Sequence, residues 1–377
     1  MGFIELLYQG FGGVQSKDGR PEDSMRYSPL WECYQNQAKL TEFAGWMLPA
    51  QFAGLTPEHQ AVRQRAGLFD ISHMGQIELQ SPHILEDFNP LVPTAITQLK
   101  PGQAQYTVLL NALGGIIDDI IIYAQGEGQI KLIVNAACTE KNRKWLHQHL
   151  PRAVIQPTSR ALMALQGPDA TGILQTLTPV ALQTIPRFGH TIVSTKFGHI
   201  WVARTGYTGE DGWEIQAEPP VGQALWRELL AQGATPCGLV ARDMLRLEAG
   251  LHLYGQDMNE SSTPLEAGLG WLVAWDKGDF LGRARLITQK NQGVAQKLVG
   301  LVGTGRRIFR PGYPVRAQGQ TVGHITSGTL SLSLGQPIGL AYVDTPWTAL
   351  GTPLTVQVRE QELPVTVVKR TFYTRTG

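Results

Sequence analysis

The stretch that most constrains the fold is QYTVLLNALGGIIDDIIIY, which runs from Gln105 to Tyr123. β-Branched and aromatic residues fill both of its halves, and a turn over Asn111 to Gly115 separates them, which is typical of a β-hairpin. Similar hairpin patterns alternate with amphipathic helices up to about Lys290. Because strands joined by hairpins form antiparallel sheets, the sequence predicts an α+β fold rather than a parallel dinucleotide-binding sheet.

Two adjacent carboxylates, Asp118 and Asp119, interrupt the isoleucine run of this hairpin. Neighbouring side chains on a strand point to opposite faces, so the two carboxylates face different sides. The predicted faces are Ile117, Asp119, Ile121 and Tyr123 on one side and Ile116, Asp118, Ile120 and Ile122 on the other. At least one carboxylate then lies against an apolar surface, where an unpaired charge is costly. The alternative is that both lie at the exposed start of a strand.

Composition limits the classes of partner. The chain has 377 residues, of which 42% are hydrophobic and 17% charged, and this is typical of a compact protein with two or three domains. The formal net charge of +1 provides no electrostatic footprint for nucleic acid or an anionic membrane. No segment has the pattern of a membrane span or a signal peptide. We therefore predict a cytoplasmic protein that binds neither nucleic acid nor membranes.

The residues that bind metals or nucleotides in other proteins are poorly arranged here. Cys33, Cys138 and Cys237 are widely separated, which argues against a zinc site or a disulfide framework and favours a reducing compartment. His147 and His149 are two apart on a predicted helix and do not share a face. No G-x-G-x-x-G motif follows a strand, and no Walker loop is present. We expect neither a metal nor a nucleotide cofactor.

The pattern divides the chain into three parts. Residues 1–24 end in GRPEDS and predict a poorly ordered extension, with Met25 as a possible start. Residues 25–290 carry the hairpin and helix patterns and predict two interwoven α+β domains. The NQG sequence at 291–293 interrupts this pattern, and short strands at regular spacing follow it. Residues 294–373 therefore predict a small all-β barrel or sandwich.

Several longer stretches carry a family resemblance. They are FAGWMLPAQF, FDISHMGQIEL, LNALGGIIDDIIIY, RTGYTGEDGWEI, CGLVARDMLRLEAGLHLYGQDM and ITSGTLSLSLGQPIGLAYV. From about Ser28 to Phe372, and in matching order, they resemble the T-proteins, the tetrahydrofolate-dependent aminomethyltransferases of the glycine cleavage system. The resemblance implies a three-domain cloverleaf around a central folate channel, with a C-terminal β-barrel as the third domain.

The resemblance also implies a reaction and its partners. Tetrahydrofolate attacks an aminomethyl group carried on the lipoyl arm of the H-protein, giving 5,10-methylenetetrahydrofolate, ammonia and the dihydrolipoyl carrier. Tetrahydrofolate is then a co-substrate, and the H-protein is the direct partner, with functional association to the P- and L-proteins of the same system.

Two carboxylates match functional positions of that family. Asp119 matches the catalytic aspartate, which orients the attacking nitrogen, stabilises developing positive charge and helps to move a proton. Asp118, on the other face, is interpreted as structural, a turn or capping partner. Glu214 matches the glutamate that accepts two neighbouring N–H groups of the pterin. The alternative for Glu214 is a solvated residue on a strand.

Arg242 matches a folate contact, where a guanidinium holds a carbonyl or carboxylate group. It lies four residues before Arg246 on one face of a predicted helix, and Asp243 is close enough to pair with Arg246. The alternative for this cluster is an ordinary surface salt bridge.

The remaining site residues are expected to line the channel. Planar rings suit the faces of a flat heterocycle. The residues implied by the resemblance are Tyr106, Tyr123, Tyr207, Met74 and Trp271 as walls, Asn135 as a polar contact, and Tyr373 at the channel mouth. Ordinary core packing is the alternative for each of them.

Two related families provide alternative functions. The folate-linked domains of sarcosine and dimethylglycine dehydrogenases are fused to a flavin domain, for which this chain has neither the length nor the fingerprint. Folate-binding relatives that maintain iron–sulfur proteins carry a K-G-C-[YF]-x-G-Q-E motif. The corresponding stretch here is KGDFLGRARL, from Lys277 to Leu286, and it lacks the cysteine.

Basic residues near the C-terminus predict a docking surface for an acidic lipoyl carrier. They are Arg306, Arg307, Arg310 and Arg316 in one group and Lys369, Arg370 and Arg375 in another. Complementary charge raises the rate of encounter more than the final affinity. The alternative is that both groups are solvated loops.

Overall fold

The computed structural model describes residues 25–375, and the predicted extension at residues 1–24 lies outside them. The strands are β1 (Arg26–Tyr27), β2 (Lys39–Phe43), β3 (Trp46–Gln51), β4 (Gly67–Asp70), β5 (Gly75–Gln80), β6 (Ala104–Leu110), β7 (Ile116–Gly126), β8 (Gln129–Val134), β9 (Val154–Thr158), β10 (Ala161–Gln166), β11 (His190–Thr195), β12 (Gly198–Ala203), β13 (Gly212–Ala217), β14 (Thr235–Cys237), β15 (Gln296–Gly303), β16 (Pro314–Ala317), β17 (Gln320–Leu330), β18 (Pro337–Asp344), β19 (Pro353–Val358) and β20 (Gln361–Val368).

The α-helices are α1 (Trp31–Tyr34), α2 (Leu55–Gln64), α3 (Ile84–Phe88), α4 (Thr139–His149), α5 (Ala170–Gln175), α6 (Pro219–Ala231), α7 (Leu239–Glu248) and α8 (Arg283–Gln292). Short 3₁₀ turns lie at Asn89–Leu91, Ala136–Cys138, Leu182–Thr184, Gly270–Leu272 and Thr345–Trp347. Between residues 25 and 375, no helix is long and apolar enough to cross a membrane.

The predicted hairpin is confirmed as β6 and β7, which pair antiparallel at one edge of a sheet ordered β6-β7-β8-β5-β9. Asn111 holds the turn, because its Oδ1 accepts the backbone N–H groups of Leu113 and Gly115, each at 2.9 Å. Helix α4 covers one face of this sheet, and its Leu146 packs with Ile122 in the core beneath β7.

A β-bulge corrects the faces predicted for the start of β7. Leu110 pairs with Ile116, but Leu109 pairs with Asp118, so Ile117 is an extra residue without an opposite partner. Ile117 consequently packs into the core on the helix side of the sheet, and Ile116 packs on the other side. From Asp118 onward the apolar clusters follow the predicted alternation.

A second sheet is ordered β11-β12-β13-β10-β4-β14 and is antiparallel except where β14 joins β4. Its core on one face includes Trp213 and Trp226, both almost fully enclosed. Its other face meets the first sheet, where the rings of Tyr123 and Trp201 contact each other edge to face at 4.8 Å. The two sheets therefore share one apolar interface.

The third body is a closed barrel of strands in the order β15-β18-β17-β16-β19-β20. Its interior includes Leu301, Phe309, Val315, Ile325 and Val356. The predicted α+β class with a C-terminal β-barrel is confirmed, and the sandwich alternative for this segment is wrong. The proposed domain boundaries at residues 290 and 294 stay a prediction.

Helix α7 lies where these bodies meet, in contact with α2, β3 and the barrel strands β17 and β18. Its N-terminus approaches β3 so closely that a Cβ at Gly238 would lie 2.2 Å from the carbonyl oxygen of Ala50. Only glycine permits that approach. The side chains of α7 can therefore reach both the sheets and the barrel.

Candidate active site

Asp119 lies on β7 with its half-buried carboxylate held from two sides. The Tyr106 hydroxyl on the neighbouring strand donates to Oδ2 at 3.1 Å, and the Asn135 amide donates to Oδ1 at 2.7 Å. A carboxylate accepts about four hydrogen bonds, so these two contacts fix its orientation and leave acceptor capacity free.

Asp118 is fully enclosed, with 0% of its surface exposed, which excludes the alternative of an exposed strand start for this residue. Asn142 on α4 donates to its Oδ2 at 2.5 Å, and the Asn135 amide donates to its Oδ1 at 2.7 Å. The backbone N–H of Asn135 adds a bond to Oδ2 at 3.2 Å. Protein donors thus surround Asp118.

Asn135 connects the two carboxylates even though they point to opposite faces of β7. It follows the last residue of β8, and its Nδ2 lies 2.7 Å from an oxygen of each carboxylate. Burial raises the pKa of Asp118, and the charge of Asp119 raises it further. Burial also raises the pKa of Asp119, although bonds from Asn135 and Tyr106 oppose that rise. The pair therefore holds a proton more strongly than isolated aspartates do.

Glu214 lies on β13 in the second sheet and is only 6% exposed, so the alternative of a solvated strand residue is excluded. Its Oε2 accepts bonds from the hydroxyls of Thr205, at 2.7 Å, and Tyr123, at 3.1 Å. Among residues 25–375, its Oε1 has no hydrogen-bond partner. One carboxylate oxygen is thus anchored and the other is free to accept.

Tyr123 links β7, the strand of Asp119, to Glu214 across the interface of the sheets. It is four residues beyond Asp119 on the same face of β7, about 13 Å along the strand. Its ring is fully buried against Trp201 and His190, and its hydroxyl reaches Glu214. Asp119 and Glu214 consequently lie on the same side of β7.

Arg242 is in the first turn of α7 and differs sharply from Arg246 one turn later. Its guanidinium lies 4.8 Å from the centroid of the Tyr207 ring, and its buried Nη1 has no partner among the described residues. Burial lowers the pKa of this guanidinium. Arg246 instead pairs with Asp243 at 2.8 Å, as predicted, and with Asp257 at 2.7 Å.

The other predicted wall residues lie around these groups. Tyr207 donates its hydroxyl to the backbone carbonyl of His252, and Met74 is half-buried beside the shared interface of the sheets. Trp271 is 68% exposed, yet its ring stacks on Tyr106 with centroids 6.3 Å apart. Trp271 therefore stacks on the ring whose hydroxyl donates to Asp119.

Tyr373 belongs to a different network from the other predicted site residues. Its ring covers the guanidinium of Arg63 at 3.8 Å, and its backbone N–H donates to the carbonyl of Glu248. Within the described part of the chain, no hydrogen bond or ring contact joins it to Asp119 or Glu214. Its predicted place at a channel mouth stays a prediction.

Sequence reasoning missed His73, which precedes Met74 in FDISHMG. It is 4% exposed, its Nδ1 has no hydrogen-bond partner in residues 25–375, and burial together with the charge of Arg242 lowers its pKa to about 3. Its position beside a predicted wall residue was the available signal. Over the same residues, no group of three or more His, Cys, Asp or Glu side chains is arranged to hold a metal ion.

The arrangement as a whole can hold a flat, polar ligand and assist proton movement. Glu214 offers a free acceptor, Arg242 a free donor, and Asp119 a carboxylate with a raised pKa. Aromatic rings of Tyr106, Tyr207 and Trp271 lie beside these groups. Such a combination of apolar walls and a few converging polar groups is typical of small-molecule sites.

Two family models match the chain. The model of the GCVT N-terminal domain matches residues 32–277, and the model of the glycine cleavage T-protein C-terminal barrel domain matches residues 296–374. Among curated relatives, the aminomethyltransferase of Thermosynechococcus vestitus is 50% identical over 356 residues, covering 94% of this chain and 97% of the relative. The aminomethyltransferase of Synechocystis sp. is 52% identical over 356 residues, covering 92% of this chain and 96% of the relative.

A solved structure is also similar over nearly the whole chain. The crystal structure of glycine cleavage system aminomethyltransferase T from Bartonella henselae matches with a TM-score of 0.88 and 32% sequence identity. The match covers 93% of this chain and 99% of that one.

Proposed function

The chain belongs to the glycine cleavage T-protein family and is an aminomethyltransferase of the glycine cleavage system, and from this premise we propose that its acceptor is tetrahydrofolate, bound between Asp119, Glu214 and Arg242. We propose that the aminomethyl group arrives on the lipoyl arm of the H-protein. The partnership with the P- and L-proteins and the cytoplasmic location stay predictions from the sequence.

The observation that carries this proposal is a set of polar side-chain atoms that have no hydrogen-bond partner among the described residues. Glu214 Oε1 and Arg242 Nη1 have no hydrogen-bond partner within residues 25–375, although both side chains are largely buried. A buried donor without a partner, such as Arg242 Nη1, is costly and rare in folded proteins, so a ligand acceptor that pairs with it accounts for its retention. A folate has N–H groups at one end and carbonyl and carboxylate groups at the other.

Glu214 is proposed to orient the pterin ring. The anchoring of Oε2 by Thr205 and Tyr123 fixes the plane of the carboxylate, and Oε1 is left to accept from the pterin. Charge-assisted bonds of this kind fix orientation as well as affinity. Arg242 is proposed to hold an acceptor group of the same ligand, because its Nη1 has no protein acceptor.

Asp119 is proposed to perform the chemical role. When a folate nitrogen attacks the aminomethyl carbon, positive charge develops on that carbon as ammonia leaves, and a carboxylate in a low-dielectric site stabilises it. In the complete reaction the two folate nitrogens lose their protons, while the leaving amine and the lipoyl sulfur each gain one. The raised pKa of Asp119 suits a group that takes up one of these protons and passes it on.

Asp118 and Asn135 are proposed to support Asp119. The oxygens of Asp118 accept hydrogen bonds from Asn135 and Asn142, and the residue has no exposed surface. Asp118 therefore does not reach a substrate. Asn135 then holds Asp119 at a fixed position relative to the end of β8. Tyr106, Tyr207, Met74 and Trp271 are proposed as the walls of the folate channel.

The carrier is proposed to dock on the loop that carries Arg306, Arg307 and Arg310. The first two are exposed, and none of the three forms a salt bridge within the described residues. Three of the other predicted basic residues are engaged internally: Arg316 pairs with Glu362, Arg375 with Asp211, and Arg370 bonds to backbone carbonyls. The fourth, Lys369, is exposed. The triple reversal R306E/R307E/R310E is expected to raise the KM for the carrier and weaken its salt dependence, with the KM for tetrahydrofolate unchanged.

A matched control for docking is the triple reversal R152E/R187E/R359E, which changes the net charge equally at exposed positions elsewhere. If both triple variants give the same carrier KM and salt response, the docking surface lies elsewhere.

The proposed function itself is tested by incubating the protein with tetrahydrofolate and aminomethylated lipoyl carrier and measuring methylenetetrahydrofolate and ammonia. Equal amounts of the two products are expected. Ammonia release at the same rate without tetrahydrofolate would contradict the acceptor role.

A further inference from the structure

After β20 the last described residues, 369–375, cross the molecule in a groove bounded by glycines; we call them the C-terminal strap. A Cβ on Gly300 would lie 2.6 Å from a strap carbonyl oxygen, and one on Gly250 would lie 2.4 Å from another. A Cβ on Gly268 would lie 2.7 Å from the Nη2 of Arg370. Glycines in three separate segments, at positions 250, 268 and 300, thus make room for the C-terminal strap.

Arg370 inserts its guanidinium into this groove. Its Nη1 donates to the carbonyl of Ala267 at 2.9 Å, and its Nη2 donates to that of Gly268 at 2.7 Å. The same Nη1 lies 2.7 Å from Nε2 of His252, and that Nε2 also lies 2.8 Å from the carbonyl oxygen of Ala267. The ring nitrogen accepts from Arg370 in one tautomer and donates to the Ala267 carbonyl in the other. The backbone carbonyl of His252 in turn accepts the hydroxyl of Tyr207.

The next strap residues hold the end of α7. The N–H groups of Phe372 and Tyr373 both donate to the carbonyl of Glu248, the last residue of that helix, at 2.9 and 2.7 Å. The ring of Tyr373 covers Arg63, which donates to the carbonyl of Thr208 at 2.8 Å. The strap therefore contacts the residue next to Tyr207 through Arg63.

The strap makes a third contact through Arg375, at the end of the segment that carries Tyr207. Arg375 is 3.7 Å from Asp211, which Arg204 holds at 2.6 Å. Residues 204–211, which we call the Tyr207 loop, connect β12 to β13 and lead directly into the strand of Glu214. The strap contacts this loop through His252, through Arg63 and at Asp211.

We propose that the C-terminal strap positions the Tyr207 loop, and that Arg370 is a positioning residue for Tyr207 that acts through His252. The inference rests on the proposed function only for its kinetic consequence, because the order of the loop is measurable without any folate. A loosened loop moves the Tyr207 ring, which lies on the proposed folate wall, relative to Arg242 on α7, while Asp119 stays held by Asn135 and Tyr106.

The first test measures hydrogen exchange of the folate-free protein. Arg370→Met removes the donors to the two carbonyls and to His252, so amides of the Tyr207 loop are expected to exchange faster, while amides of β7 are unchanged. Arg370→Lys keeps a donor and is expected to restore part of the protection. Unchanged exchange in the loop of a folded Arg370→Met variant overturns the proposal.

The second test displaces the strap without removing its side chains. Gly268→Ala places a Cβ against Arg370 at a left-handed position, φ 68°, whereas Gly255→Ala places a Cβ at another left-handed position, φ 88°, with no atom within 4 Å. Gly268→Ala is expected to raise the KM for tetrahydrofolate about fivefold with little change in kcat, and Gly255→Ala is expected to change neither. Equal effects of the two substitutions overturn the proposal.

The two tests separate this inference from the proposed function. Faster exchange in the loop together with an absence of tetrahydrofolate binding to the unmodified protein supports the strap and contradicts the folate assignment. A fall in kcat and in the active fraction, with unchanged KM and unchanged exchange of the loop, shows a purely structural role and overturns the strap's positioning role. If Arg370→Met does not fold, Gly268→Ala and Arg370→Lys provide the same readouts.

Discussion

The two ends of helix α7 carry buried arginines with opposite arrangements. Arg246, near the barrel, donates to Asp243, Asp257 and Ser327. Arg242, one turn earlier, faces Tyr207 and keeps a buried nitrogen without a partner among the described residues. The same helix thus carries one guanidinium that protein carboxylates pair and one that keeps a buried nitrogen unpaired.

The same contrast occurs between neighbouring residues on β7. Asp118 is enclosed by amide donors from Asn135 and Asn142, whereas Asp119 is half-buried and keeps acceptor capacity. Folded proteins pair nearly all of their buried polar groups. An unpaired atom points to a ligand only together with its surroundings, because Trp226 Nε1 and Asn142 Oδ1 are also buried without a partner among the described residues. The two neighbouring carboxylates thus differ both in burial and in the acceptor capacity that protein donors leave free.

The largest expected effect is on stability and compares Arg246 with Arg242. Arg246→Met leaves the fully buried Asp257 without its ion pair and is expected to lower the free energy of unfolding by about 3–5 kcal/mol. Arg242→Met removes no ion pair and is expected to leave that free energy nearly unchanged, but to weaken tetrahydrofolate binding. Urea denaturation of both variants measures the difference. Equal destabilisation would remove the distinction between the two ends of α7.

The next effect concerns catalysis. Asp119→Asn is expected to lower turnover about a hundredfold or more, because the proton acceptor is lost while the shape is kept. Asp118→Asn is expected to lower stability and to reduce turnover per folded molecule much less. The measurement is methylenetetrahydrofolate formation at saturating carrier, normalised to folded protein. Equal losses in the two variants would contradict the assignment of roles.

A smaller effect concerns ligand affinity. Glu214→Gln replaces a charged acceptor and is expected to weaken tetrahydrofolate binding by about 1.5–3 kcal/mol. Glu78→Gln is a suitable control, because Glu78 pairs with Arg160 outside the site. Calorimetric titration compares the two variants, and an unchanged affinity for Glu214→Gln would exclude its proposed contact.

The smallest effect is on the pH dependence of stability. Burial raises the folded-state pKa of Asp118 above its usual value of 3.8, so the folded protein binds this proton more tightly than the unfolded chain does. The stabilisation is present below the usual value and is lost as pH rises through the raised one. Asp118→Asn is expected to remove this loss of stability with rising pH. The measurement is the free energy of unfolding at pH 5 and at pH 8. An equal change of the unfolding free energy with pH in Asp118→Asn and in the unmodified protein would contradict this prediction.

Local patterns were enough to predict the hairpin and an all-β third domain, and the family resemblance predicted that this domain is a barrel. Turn residues at Asn111 and alternating strands are encoded within a few positions of each other. The bulge at Ile117 was not predicted, because nothing in an isoleucine run marks which residue loses its partner. The faces of Ile116 and Ile117 were therefore wrong, although that of Asp119 was unaffected.

The connections within the site were beyond sequence reasoning because they join distant elements. Asn135 was predicted as a polar contact, but its bond to both carboxylates depends on where β8 ends beside β7. The bond from Tyr123 to Glu214 depends on how two sheets pack. Tyr373 was predicted beside the channel, whereas its contacts lie with Arg63, and only the path of the chain after β20 determines that.

The most direct test of the central claim is a structure with tetrahydrofolate bound. The claim predicts pterin N–H groups on the free Oε1 of Glu214, an acceptor group of the ligand on Nη1 of Arg242, and the reacting nitrogens nearer to Asp119 than to Asp118. A ligand that leaves Glu214 Oε1 and Arg242 Nη1 unpaired, or whose reacting nitrogens lie away from Asp119, would contradict it.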